Sequence, residues 1–388
     1  MPVTPFDPFT INALTLKNRF VMAAAATLYS ADEQGIITNE EIARINRISA
    51  GGIGLFINGA VTTHLSAQTR PRSCMITTDA GVLQFKKLTD TVHKNGTKIA
   101  CQLCNSGIWA AAFQKTLGKE AIGASLVSDG AYAARTDFPD NFHAATEDEI
   151  AGIIRGFTSG AARVKTAGFD AVEIHAAHDS LLSQFLSPLS NRRNDRWGGS
   201  VENRSRIHAE VIRAVREAVG PDYPILVKLG VQDSIAGGLT QKDGIAAAQT
   251  CAGAGADMLE VSVGLAGADV MKESVLLGPI TKIEQEAFTR ESCRAVRRAT
   301  GFPTIMTGGI RSLDLIEDIL AAGDTDLVGL CRPFIREPAL INRWKSGDRK
   351  KAACISCNMC LIRPKGHELA CVIEDGDGEE NSGKIQTS

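Results

Sequence analysis

Residues 146–180, TEDEIAGIIRGFTSGAARVKTAGFDAVEIHAAHDS, contain one whole repeat of the pattern that runs through this chain. Thr146 followed three residues later by Glu149 is a capping box, which satisfies the free amides that open a helix. Ile150, Ile153, Ile154, Phe157, Ala161 and Val164 then fall on one stripe at helical spacing, and Gly168 ends it. The next run, FDAVEIH (169–175), is apolar and β-prone, and it leads to His175 and His178 at its exit. The stretch predicts a helix, a tight turn, a buried strand, and two imidazoles where the strand gives way to a loop, a site where paired donors can hold an anionic oxygen.

The strand half of this unit recurs. FVMAAA (20–25), IGLFINGA (53–60), TKIACQL (97–103), PILVKLG (224–230), DMLEVSV (257–263), PTIMTGG (303–309) and DLVGLCR (326–332) bring the number of such runs to eight. None alternates strictly between apolar and polar, which is the mark of parallel strands covered by helices on the outside. Helical stripes precede Gly220, Gly255, Gly301 and Gly323 as well. Eight strand and helix pairs in 388 residues predict an α/β fold, a closed eightfold (β/α)8 TIM barrel, with an open doubly wound sheet as the alternative on pattern alone. The expected organisation is a barrel over 1–350, a Cys-rich segment over 351–373 packed on it, and a charged, Gly-rich tail over 374–388 that is disordered.

Composition narrows the function. A net charge of −2 with no block of like charge excludes a nucleic-acid or anionic-membrane surface, and points to a small-molecule substrate. The N-terminus, MPVTPFDPFTINALTLKNRF, has no basic region followed by an apolar core, and no apolar run approaches membrane-spanning length. A cytoplasmic, homo-oligomeric enzyme is expected. Of ten cysteines, six are scattered (Cys74, Cys101, Cys104, Cys251, Cys293, Cys331), which suits reduced thiols, and four crowd into the tail.

Sites in such barrels lie where strands end. The exits carry Ala24 and Ala25, Gly59 and Ala60, Gln102, His175, Lys228, Gly308 with Gly309, and Arg332. Paired glycines let a backbone approach a ligand, the last two exits commonly hold a phosphate, and Arg332 adds a guanidinium fork.

Carrying these features, the chain resembles the old yellow enzyme family of flavin-dependent reductases, near the branch of 2,4-dienoyl-CoA reductase and trimethylamine dehydrogenase. The resemblance runs from Phe6 to about Cys371 and rests on KNRFVMAAAAT (17–27), QLCNSG (102–107), SPLSNRRNDRWGGSVENR (187–204), TGGI and GLCRPFIREP. It implies FMN across the barrel mouth, its phosphate at Gly308, Gly309, Cys331 and Arg332. Gln102 is implied at the pyrimidine edge, Ala24, Ala25 and Ala60 against the rings, and Lys228 beside N1 and O2, where reduction places negative charge. His175 and His178 are implied as the catalytic pair that binds the carbonyl oxygen of an activated alkene. NAD(P)H is the implied electron donor, taking turns with substrate in one pocket, since no G-x-G-x-x-G follows a strand.

Three departures matter. Relatives that reduce enones carry a tyrosine two residues after the second histidine as proton donor; here Asp179 and Ser180 follow His178. Asp179 needs burial to hold a proton at neutral pH, and solvent or Tyr29 are the other sources. Ala26 stands where a threonine or cysteine is frequent beside the flavin, and Asn105 where a histidine is frequent on the substrate side. The charged loop Arg192, Arg193, Asp195, Arg196, Trp197, Glu202, Asn203 and Arg204 reads as a brace for the fourth exit.

The tail is the second motif. Cys354, Cys357, Cys360 and Cys371 give C-x2-C-x2-C-x10-C, a spacing that suits a 4Fe-4S cluster, with zinc or free thiols as alternatives. It resembles the cluster loop of the same two relatives, which continue into nucleotide-binding domains, whereas this sequence stops about 17 residues after Cys371. A cluster here implies an electron-transfer partner protein. The expected function is FMN-dependent hydride transfer to a carbonyl-activated alkene. The alternatives are an amine dehydrogenase or demethylase, a redox-neutral double-bond isomerase, and a flavin/iron-sulfur electron-transfer subunit.

Overall fold

In the computed structural model, residues 3–25, 30–135, 137–265, 279–362 and 369–373 are described. A short antiparallel hairpin, β1 (Phe9–Ile11) with β2 (Leu14–Leu16), comes first. Then come β3 (Phe20–Met22), β4 (Leu55–Thr62) and β5 (Lys98–Cys104). An excursion follows in which β6 (Ala121–Gly123) pairs with β7 (Phe142–Ala144). The remaining strands are β8 (Ala171–Ala176), β9 (Ile225–Gly230), β10 (Met258–Ser262), β11 (Thr304–Thr307) and β12 (Leu327–Leu330). β3, β4, β5 and β8 to β12 form a closed barrel in chain order, all parallel, with β12 paired back to β3. That last pairing rules out the open sheet.

The capping box forms as the sequence requires: Thr146 N donates to Glu149 Oε2 at 2.8 Å, and Glu149 N to Thr146 Oγ1 at 3.3 Å, opening the helix Glu147–Thr166. Its apolar stripe, with those of the other outer helices, packs on the outward strand residues in one core containing Phe157, Val172, Ile174, Val227 and Leu259.

Because side chains alternate along a strand, the inward residues stack in layers. The lower, apolar part holds Val21, Leu55, Ile57, Ala100, Ala171, Leu226, Met258, Ile305 and Leu327, in one cluster with Ile11, Leu14 and Leu16 of the hairpin, which closes the barrel floor. Two residues further along β5, β8, β9 and β10 come Gln102, Glu173, Lys228 and Glu260, all buried. The next inward positions are Cys104, His175, Gly230 and Ser262, at the mouth. A polar layer therefore rests on an apolar one, directly beneath the exits. Among the described residues, no helix is long and apolar enough to cross a membrane.

Candidate active site

Two adjoining cavities open at the strand exits. One, of about 300 Å³, is bordered by Ala24, Ala25, Gly308, Gly309, Gly329, Cys331, Arg332 and Ser356. The other, of about 460 Å³, is bordered by Ala60, Arg70, Gln102, Trp109, His175 and Ser180. Ala24, His178 and Lys228 border both. Every exit residue that the sequence singles out as a cofactor or catalytic candidate thus lines one continuous mouth.

Backbone shape fits a large ligand there. Gly308 and Gly309 have φ of +141° and +72°, and a Cβ on Gly309 would run into Ile280. Only glycine leaves this stretch of main chain open to the cavity. A Cβ on Gly59 would likewise strike Gln102 at 2.6 Å.

His178 and Asp179 both take left-handed backbone angles, φ +56° and +61°, where β8 turns into its loop. The two imidazoles come to a centroid separation of 5.3 Å, edge to face. His178 Nε2 lies 2.6 Å from Ser262 Oγ, and buried His175 Nδ1 has no hydrogen-bond partner among the described residues. Burial, reinforced by the cation of Lys228, drives the His175 pKa down to about 3 and that of His178 well below its usual value. Both rings are neutral near pH 7, so each offers one N–H without a charge.

Beneath them, Lys228 Nζ meets Glu260 Oε1 at 2.7 Å, and Gln102 Nε2 donates to Glu173 Oε2 at 2.6 Å. Burial works against the Lys228 charge, but the carboxylates of Glu260 and Glu173 outweigh it and hold its pKa above the usual range. Burial and the neighbouring Glu260 hold the Glu173 carboxyl well above its own, against the pull of Lys228.

Asp179 does not serve the mouth. Burial lifts its carboxyl to about 7, yet the group lines neither cavity; it accepts from Tyr132 Oη at 2.7 Å and from Arg135 Nη1 at 2.9 Å. Asp179 is therefore corrected from proton-donor candidate to a buried ion-pair partner. Arg135 stacks over Trp109, at 4.5 Å from the ring centroid, so this ion pair supports the cavity wall. Ser180 does face the cavity, its Oγ donating to His175 O at 3.2 Å. Asn105 lines neither cavity and instead caps its own loop, Oδ1 accepting from Gly107 N at 3.1 Å. Tyr29 and Ala26 lie outside the described residues.

The charged loop after β8 is a brace. Arg193 Nη1 donates to Ala124 O and Ala145 O, Trp197 Nε1 to Glu147, and Arg204 to Leu186 O and Asp243. Arg332 borders the first cavity and also reaches the tail: its Nη1 donates to Ser356 O at 3.2 Å and to Asn358 Oδ1, tying that segment to the mouth.

Cys354, Cys357, Cys360 and Cys371 border one small cavity of about 20 Å³ beside Arg332 and Arg336. Ser356 N and Arg336 Nη1 each point to a sulfur, of Cys354 and Cys371, at 3.4 Å. Among the described residues no group of three or more His, Cys, Asp or Glu is spaced to hold a metal, and all ten cysteines are unbridged.

Sequence reasoning passed over Glu173, Glu260, Tyr132, Arg135, Arg70 and Trp109. The first two had a readable signal: single carboxylates inside apolar strands, in phase with Lys228.

Comparisons with known proteins give the family. Residues 5–351 match the NADH:flavin oxidoreductase / NADH oxidase family. The chain belongs to that family. It is 34% identical over 336 residues to an NADPH dehydrogenase of Geobacillus sp. (strain WCH70), covering 86% of this chain and 91% of the relative. Morphinone reductase in complex with tetrahydroNAD superposes with a TM-score of 0.71 at 29% identity, over 89% of this chain and 91% of that one. A 2-naphthoyl-CoA reductase bound to 2-naphthoyl-CoA gives 0.82 at 26% identity over 92% of this chain, which spans only 54% of that longer protein. This family member is an enzyme, an NAD(P)H:flavin oxidoreductase of the old yellow enzyme type. The family match stops before Cys354, so it is silent on the cysteine segment.

Proposed function

We propose that the protein binds FMN across both cavities and reduces an alkene conjugated to a carbonyl. The observation that carries this reading is the shared border at Ala24, His178 and Lys228, which joins a glycine-lined end to an imidazole-lined end. Gly308, Gly309, Cys331 and Arg332 would hold the phosphate, Gln102 and Lys228 the pyrimidine edge, and Ala24, Ala25 and Ala60 the ring faces. Bound FMN supplies hydride at N5. His175 and His178 then hold the carbonyl oxygen, and as neutral donors they withdraw electron density so that the β carbon accepts the hydride. Lys228 balances the charge that builds at the opposite edge.

The cavity charge favours this over amine oxidation. Among the described residues neither cavity is bordered by an Asp or Glu, whereas Arg70, Arg332 and Lys228 are present. A cationic amine meets cations on the walls; a carbonyl oxygen meets donors. The departure of Asp179 from the mouth favours one second reading, a redox-neutral double-bond shift, because no described carboxyl or phenol there can quickly protonate the α carbon. Relatives named for morphinone and 2-naphthoyl-CoA reduction support the carbonyl-conjugated substrate class.

We further propose that Cys354, Cys357, Cys360 and Cys371 ligate a 4Fe-4S cluster that exchanges electrons with a partner protein. Four sulfurs around one cavity, with N–H groups directed at two of them, fit the donor chemistry of such a cluster.

Anaerobic half-reactions test the reading. NADPH or NADH should bleach the bound flavin, and 2-cyclohexenone should restore its colour; bleaching that only an amine produces would overturn it. Iron and sulfide analysis of anaerobically purified protein, with Cys357→Ser losing the metal but keeping the flavin, tests the cluster.

A further inference from the structure

In the polar layer, two fully buried carboxylates stand against one ammonium. Glu260 pairs with Lys228 at 2.7 Å, Glu173 accepts from Gln102 at 2.6 Å, and both glutamates are 0% exposed. Their strands, β8 and β10, lie on either side of β9, so both carboxyl groups share the layer of Lys228, and the charge of Glu260 adds to burial in raising the Glu173 carboxyl. Yet Glu173 Oε1 and both Glu260 oxygens find no hydrogen-bond donor among the described residues, although Glu260 Oε1 has its ion pair with Lys228. Two carboxylate oxygens facing each other without a donor repel, and in a site this dry the cost is large. The same contact becomes a strong hydrogen bond once one carboxyl carries a proton.

We propose that Glu173 and Glu260 share a single proton, so that with Lys228 they form a net-neutral cluster under the flavin edge, and that this proton keeps the barrel interior from opposing flavin reduction. Glu173 and Glu260 are positioning residues; they act through Lys228. This rests on the placement of FMN over Lys228 given above. Hydride transfer brings two electrons and one proton to the flavin and leaves one negative charge at its N1 and O2 edge. No proton leaves the carboxyl pair in that step. A cluster with both carboxylates ionised would carry −1 and resist the new charge, whereas a neutral one lets the near cation, Lys228, dominate.

The test uses the FMN-loaded protein and isosteric variants. In infrared spectra the wild type should show a protonated-carboxyl stretch that disappears in both Glu173→Gln and Glu260→Gln, because each leaves one carboxylate to pair with Lys228. The flavin midpoint potential should change little in either single variant, since the net charge stays zero. It should rise in the double variant, which carries +1, by at least tenfold in the reduced-to-oxidised ratio, about 30 mV for a two-electron couple. Absence of the protonated-carboxyl band, or a single variant raising the potential as much as the double, overturns the proposal. Lys228→Met separates the two readings. A lowered potential supports the flavin placement; an unchanged potential with the infrared band intact removes that placement and leaves the shared proton standing.

Discussion

Tyr132 donates a 2.7 Å hydrogen bond to Asp179, the residue after His178, across 47 positions of sequence. With Arg135 on the other carboxylate oxygen at 2.9 Å, Asp179 is fully committed to holding the excursion after β5 against the loop after β8. Its function is architectural. Tyr132→Phe should cost about 1 kcal/mol of stability, and Asp179→Asn should cost less at pH 8 than at pH 6, because a carboxyl that burial raises to about 7 holds a proton the unfolded chain has released and loses that stabilisation as pH climbs through this value. In enone reduction the Tyr132→Phe rate should fall less than about tenfold, where loss of a true general acid costs about 10²–10⁴. Denaturant unfolding and stopped-flow reoxidation check the two halves.

His178→Ala and His175→Ala should each lower kcat/KM for 2-cyclohexenone by about 10²–10³, the scale for removing one donor to a developing oxyanion. Because burial and Lys228 hold the His175 pKa down at about 3, and that of His178 well below the usual value, neither ring titrates near neutrality. The pH profile of the oxidative half-reaction should show no histidine step between about pH 5 and 8. An inflection near pH 6.5 that vanishes in His178→Gln would contradict the neutral-donor assignment.

His208 on the helix Arg206–Val219 is buried, with neither ring nitrogen hydrogen-bonded among the described residues, and burial lowers its pKa to about 4. The sign is definite. Below the unfolded value of about 6.5 the unfolded chain binds a proton that the folded chain refuses, so stability falls as pH drops toward 4 by up to about 1.4 kcal/mol per unit from this residue. His208→Leu should flatten that slope, and it should raise the melting temperature more at pH 5 than at pH 8. Parallel slopes for variant and wild type would place the acid sensitivity elsewhere.

Gly309→Ala should lose the cofactor before it loses the fold. The substitution sets a side chain at φ +72° and against Ile280. A strained position of this kind costs about 1–3 kcal/mol, and the methyl group crowds Ile280 and Phe288 beside the proposed phosphate position. Gel filtration should show colourless, folded protein that regains FMN only at raised concentration.

The barrel was legible because parallel strands under helices leave uninterrupted apolar runs, and all eight appear where those runs fall. The exits followed from the strand ends, which is why Gln102, Lys228, Gly308 and Arg332 could be named before any coordinates. The partners of those residues were harder. Glu173 and Glu260 sit in FDAVEIH and DMLEVSV among apolar neighbours, and only the inward phase of the barrel puts them beside Lys228. Tyr132 and Arg135 lie in a segment without strong periodicity, so their meeting with Asp179 depends on tertiary placement that no local pattern encodes. The proton source left open among Asp179, Tyr29 and solvent met the same obstacle: burial of Asp179 was foreseeable, the direction of its carboxylate was not.

Among the described residues, the hairpin Phe9–Leu16 closes the barrel floor and leaves the mouth open. With Ile11, Leu14 and Leu16 packed into the floor, the side of the layer of Glu173, Lys228 and Glu260 that borders a described cavity is the mouth. Once a flat aromatic cofactor covers that opening, the layer is sealed. If the shared proton proposed above is present, its exchange with solvent should then be slower in the FMN-loaded protein than in the protein without FMN.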